Sequence, residues 1–82
     1  MSRAVFISGI PNHTSEETLF RFLEEVTGNA PKSVHLRPGK YSAWGVASWE
    51  YEHNAQLAVD NSGKHRIEGK PIRVSILQHP HL

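Results

Sequence analysis

The chain predicts an α+β domain with the element order βαββαβ, and three observations carry that prediction. Four segments (4–10, 33–37, 41–49 and 72–77) are rich in β-branched or aromatic residues or alternate in period two, as strands do. Two others (14–27 and 52–61) space their apolar residues at helical intervals. The link between the second and third strand segments is little more than Pro38-Gly39-Lys40, short enough to require an antiparallel hairpin.

The first strand is Ala4-Val5-Phe6-Ile7-Ser8-Gly9-Ile10, closed by Gly9 and Pro11. Pro11-Asn12-His13 forms a turn. Thr14-Ser15-Glu16-Glu17 has the form of a capping box, with Thr14 as the expected N-cap and Glu17 reaching back. Leu19, Phe22, Leu23 and Val26 form the apolar stripe of the first helix, and Glu16 and Glu17 stabilise the positive end of its dipole. Gly28-Asn29 ends it, with Pro31 just beyond. Ser33 to Arg37 alternates as a second strand. In the third, Tyr41 to Trp49, the small residues Ala43, Gly45 and Ala47 share one parity with Trp49. Ser42, Trp44, Val46 and Ser48 share the other. Ala55, Ala58 and Val59 mark the second helix, which Ser62-Gly63 stops. Ile67 to Pro71 is a turn or short β excursion, and Ile72 to Leu77 is the fourth strand. Two βαβ-like halves fit one four-stranded antiparallel sheet with two helices on one face, the ferredoxin-like plan, which leaves the other face open.

Composition narrows the field without naming a function. The 82 residues make one small domain, expected over 1–78 with a C-terminal tail at 79–82. Cysteine is absent, which removes disulfides, Cys-ligated zinc and thiol catalysis. No apolar run is long enough to span a membrane, and no charged-then-apolar leader opens the chain. The net charge of +1 gives no sign of a basic arm. Six histidines (His13, His35, His53, His65, His79 and His81) are scattered and lack helical pairing, so no metal and no cofactor is expected.

The sequence resembles the RNA recognition motif (RRM) family over nearly its whole length. The family's strand-one motif runs apolar, aromatic, apolar, any residue, Asn, Leu; here it reads Val5-Phe6-Ile7-Ser8-Gly9-Ile10. The strand-three motif opens with Lys or Arg and Gly, then aromatic, Gly or Ala, aromatic, apolar, any residue, aromatic. Here it reads Ser42-Ala43-Trp44-Gly45-Val46-Ala47-Ser48-Trp49. Trp49, Ala55, Ala58 and Gly63 match the spacing around the family's second helix, and Ile67, Gly69, Ile72 and Val74 match its closing strand. Three departures stand out. Ser42 replaces a basic residue, Val46 replaces a surface aromatic, and Gly9 replaces an Asn with an effect expected only on the turn. The resemblance implies a binding module for single-stranded RNA with a weakened face, in an intracellular RNA-processing or regulatory setting. Nucleus, cytoplasm and organelle stay equally open.

Strand alternation selects the face. If Val5 and Ile7 point to the helices, Phe6 and Ser8 point outward. If Gly45 and Ala47 lie under the helices, Trp44, Val46 and Ser48 point outward and Trp49 belongs to the core. In the RRM plan strands one and three are neighbours, so Phe6 and Trp44 would stand side by side as a stacking platform. His35 and Arg37 on strand two, and Arg73 and Ser75 on strand four, share the outward parity. Lys40 and Tyr41 sit at the hairpin tip and Arg3 precedes strand one. Each of these basic residues is a candidate contact to phosphate or a base edge, or an ordinary solvated charge. Seven of the eight acids fall in 14–27 and 50–62 (Glu16, Glu17, Glu24, Glu25, Glu50, Glu52 and Asp60), with only Arg21 among the nine bases. The molecule should be acidic behind and basic around the sheet.

Two other functions compete. Phe20 and Leu57 fall off the core stripes of their helices. Exposed, they would form a protein-binding patch for a partner or neighbouring domain; otherwise they pack against a helix edge or the tail. The departures at Ser42 and Val46 equally allow a divergent sheet face to hold a protein partner. A small ferredoxin-like hydrolase would need a phosphate-cradling loop or a nucleophile–base pair, and neither is present at a recognisable spacing. The isolated domain is expected to be a monomer.

Overall fold

The structure, a computed structural model, describes residues 2–78. The elements are β1 (Ala4–Ile10), α1 (Glu16–Thr27), β2 (Ser33–Arg37), β3 (Ala43–Ser48), α2 (Glu52–Asn61), a 3-10 turn (Ser62–Lys64), β4 (Arg66–Ile67), β5 (Lys70–Pro71) and β6 (Arg73–Ile76). The sheet order is β2-β3-β1-β6, with every neighbouring pair antiparallel, so β1 and β3 are central. The expected excursion at Ile67–Pro71 is the small β4–β5 hairpin, separate from the main sheet. The expected tail at 79–82, with His79 and His81, lies outside the described residues.

One core forms between the inner sheet face and the two helices. Val5, Ile7 and Ile10 of β1 and Ala43 and Ala47 of β3 meet Leu19, Phe22, Leu23 and Val26 of α1 and Ala55 and Ala58 of α2. Trp49 joins this cluster at 2% exposure, as its parity predicts. Its indole N–H donates to the Asn29 carbonyl at 3.0 Å. The Asn29 side-chain amide in turn donates to Asn54 Oδ1 at 2.8 Å. The end of α1, the start of α2 and the exit of β3 are thus joined through the exposed Asn29 by polar groups that satisfy one another. Gly45 sets how closely α1 can approach. A Cβ there would lie 2.7 Å from the His35 carbonyl oxygen and 3.2 Å from Leu19 Cδ2.

Two local details differ from the sequence expectation. The N-cap of α1 is Ser15, one residue later than Thr14. The Thr18 N–H donates to Ser15 Oγ at 3.1 Å, while the Thr14 hydroxyl is buried without a partner. Thr14 instead closes the preceding turn, its N–H donating to the Pro11 carbonyl. Gly9 does more than shape a turn. It sits inside β1 at φ 76°, where the register passes from Ile7↔Gly45 to Ile10↔Ala43. Ser8 and Gly9 together therefore oppose the single residue Trp44, as in a β-bulge. The extra residue rephases the strand, so Ile7 and Ile10 both face the core although three positions apart.

The outer edge of β2 is partly occupied. Its Leu36 N–H donates to Glu16 Oε2 from the first turn of α1 at 3.2 Å.

Candidate nucleic-acid interface

The outward parity of the four strands assembles two rows across the open face. One row is His35, Val46, Phe6 and Ser75. The next is Arg37, Trp44, Ser8 and Arg73, with Ser8 lying in the bulge. Phe6 and Trp44 occupy adjacent rows on neighbouring strands. Their ring centroids lie 5.9 Å apart with planes inclined by 26°, an offset stack. Trp44 is 41% exposed, an unusual outlay of apolar surface for a central strand. Phe6 is half-buried.

His35, Arg37, Arg73 and Ser75 are all exposed at the flanks of this platform, and Val46 and Ser8 are half-buried within it. The arginines differ in what they do. Arg37 Nη1 donates to the Leu36 carbonyl at 2.9 Å, which holds that guanidinium against its own strand. Arg73 has no hydrogen bond or ion pair among the described residues.

The β2–β3 loop borders the same end of the face. Asn12 Oδ1 accepts from the Gly39 N–H at 3.3 Å and its amide donates to the Gly39 carbonyl at 3.4 Å, tying this loop to the β1–α1 loop. Tyr41 is 87% exposed there, with the Lys40 ammonium 5.4 Å from its ring centroid. Ser42 is half-buried and lies in the loop, before β3 begins.

Arg3 is not brought to this cluster. It precedes β1 at the opposite end of the sheet, where its carbonyl accepts from the Trp49 N–H. It lines a shallow groove with Glu50, Tyr51, Glu52 and His53, so carboxylates surround it rather than aromatic rings of the platform. Tyr51 in this groove escaped the sequence reading. It is 61% exposed and stacks on His53 at 6.1 Å. Its signal was an aromatic just before the second helix, where Ser, Thr, Asp or Asn usually caps.

Behind the sheet, Phe20 and Leu57 are half-buried, and neither belongs to the core cluster. Six acids lie on α1 and α2 (Glu16, Glu17, Glu24, Glu25, Glu52 and Asp60), while no outward position of the main sheet carries a carboxylate. Among the described residues no three His, Asp or Glu side chains gather where they would hold a metal ion, and no helix is long and apolar enough to cross a membrane.

Solved structures match this architecture along most of its length. The third RRM of Pes4 superposes with a TM-score of 0.82 at 20% identity, covering 98% of this chain and 96% of that one. The chain has the RRM fold. The first two RRM domains of the yeast poly(U)-binding protein Pub1 match at 0.83 and 12% identity, covering 98% of this chain and 48% of that two-domain chain. The Rna15 RRM, solved with a bound GU RNA, matches at 0.78 and 14% identity, covering 100% of this chain and 89% of that one. No protein-family model and no curated protein sequence matches the chain.

Proposed function

We propose that this RRM-fold domain is a non-enzymatic, intracellular binding module for single-stranded RNA that stacks bases on Phe6 and Trp44. The carrying observation is the offset ring pair on an open face free of carboxylates. A solvated indole on a central strand exposes apolar surface that a base can cover, and each stacked base contributes about 1–3 kcal/mol. His35, Arg37, Arg73, Ser8, Ser42, Ser75 and the loop residues Lys40 and Tyr41 flank the platform as contacts to bases or phosphates. Val46 is an apolar floor where a third ring would extend the stack. Arg3 serves, at most, nucleotides that run past the far end of the sheet. With few cations at hand, binding leans on stacking more than on charge, and its salt dependence is shallow.

Titration of the chain with short single-stranded RNAs at low salt tests this. Trp44 is the exposed indole and Trp49 the buried one, so quenching of a solvent-exposed emission is expected to report binding. Absence of binding by every oligomer overturns the reading. A Trp44→Ala variant that binds as tightly as the parent chain overturns the stacking mechanism.

A second reading, a protein-interaction surface on the helical side, rests on Phe20 and Leu57 lying half-exposed outside the core. Chemical-shift mapping separates the two. RNA moves β1 and β3 resonances, whereas a partner protein moves α1 and α2.

A further inference from the structure

We infer that Arg73 reads the base stacked on Trp44, and that the base it selects is guanine. This rests on the RNA-binding reading above and adds to it a specificity that the ring pair alone does not supply, because every base has a face to stack.

The argument begins with position. Arg73 on β6 lies directly opposite Ser8 on β1, and Ser8 in turn faces Trp44 across the bulge. One short side chain is therefore all that stands between the indole and the guanidinium. Neighbouring strands are about 4.8 Å apart, so Arg73 stands roughly two strand spacings from Trp44. An extended arginine covers the remaining gap to the edge of a base lying on the indole. Ser8 is too small to block the approach, and the side chain of Arg73 is exposed.

Availability comes next. Arg37 is the other arginine of this row, but its guanidinium is engaged by the Leu36 carbonyl. Arg73 has no partner among the described residues. Its planar fork of donors is free for a ligand.

Complementarity decides the base. The outward side chains of the main sheet include no Asp, Glu, Asn or Gln. Ser33 and Ser48 spend their hydroxyls on each other at 2.5 Å. The row through Trp44 thus presents charged donors, with only the Ser8 hydroxyl as a side-chain acceptor. Adenine and cytosine each present an amino group that wants an acceptor, and uracil separates its two carbonyl acceptors with an N3–H donor, so a guanidinium fork cannot take both. Guanine presents two adjacent acceptors, O6 and N7, spaced for a two-pronged guanidinium contact. A phosphate would also accept from Arg73, so the experiment must separate the two uses.

The experiment titrates the whole chain with hexamers of uridine carrying one guanosine, inosine, 7-deazaguanosine or adenosine at a central position, at fixed salt. Guanosine and inosine, which share O6 and N7, are expected to bind alike. Adenosine and 7-deazaguanosine are expected to bind about tenfold or more weakly. Arg73→Ala is expected to erase these differences by bringing the guanosine and inosine oligomers down to the level of adenosine. Arg73→Gln is expected to shift the preference toward adenosine, whose N6 and N7 suit a carboxamide. If Arg73→Ala weakens all four oligomers equally and flattens the salt dependence, Arg73 is a phosphate contact and the inference fails. Equal binding of all four by the parent chain also overturns it, with the RNA-binding reading intact. Binding of none overturns that reading itself.

Discussion

β3 carries opposite cargo on its two faces. Toward the helices it presents Ala43, Gly45 and Ala47; toward the open side it presents Trp44, Val46 and Ser48. A strand over a core ordinarily places its bulk inward. Here the inward side is stripped down so that α1 can approach until Leu19 nearly touches the Gly45 backbone, while the largest side chain of the strand stands in solvent. The two tryptophans restate the contrast. Trp49 is buried and hydrogen-bonded to the Asn29 carbonyl, and Trp44 is exposed and stacked only on Phe6. The inner face stores stability, and the outer face leaves an aromatic surface in solvent.

The comparison can be broken most forcefully at Trp49. Trp49→Ala removes a buried indole and one of the donors to the Asn29 carbonyl, which keeps the Thr27 hydroxyl, and is expected to cost about 3–5 kcal/mol. The thermal midpoint would fall by roughly 12 °C or more, read by circular dichroism. Gly45→Ala adds a single methyl group where the His35 carbonyl and Leu19 leave no room, at a cost of about 1–3 kcal/mol in denaturant unfolding. Trp44→Ala reverses the pattern. RNA affinity is expected to drop roughly 5- to 150-fold in titration, while unfolding free energy changes by about 1 kcal/mol, the scale of one aromatic pair. The mildest change, Val46→Phe, places a ring beside Phe6 and His35. It is expected to tighten RNA binding by about 1 kcal/mol with no loss of thermal midpoint. Weakened folding in Val46→Phe would mean that the outer face, too, is packed for stability.

Much of this arrangement is legible in the sequence where it depends on period. The order of elements follows from alternation and helical spacing, and alternation separates Trp44 from Trp49; that Phe6 and Trp44 take the outward side comes from the family resemblance. What escaped depends on exceptions to period. Gly9 admits a left-handed backbone, and the resulting bulge returns Ile10 to the core although strict alternation from Ile7 would send it outward. The pattern points to Thr14 because Thr14-x-x-Glu17 fits a capping box and Ser15-x-x-Thr18 does not, yet the turn from Pro11 takes the Thr14 N–H and leaves Ser15 to cap the helix. Ser15→Ala is accordingly expected to lower stability by about 1 kcal/mol. Thr14→Val, which deletes an unpartnered buried hydroxyl, should be neutral or stabilising in the same unfolding assay. The surroundings of Arg3 and the engagement of Arg37 were invisible for another reason. Parity gives the side of a sheet, whereas a guanidinium's neighbours depend on where strand ends and loops converge.

The contact between Glu16 and the Leu36 N–H reaches past this single molecule. An outer strand is a template on which another extended chain can add itself, rung by rung. At β2 the Leu36 rung already holds a carboxylate, so an incoming strand meets an occupied donor and a negative charge where its own carbonyl would land. One glutamate on a helix thus makes the free edge of β2 a poorer template for a second strand.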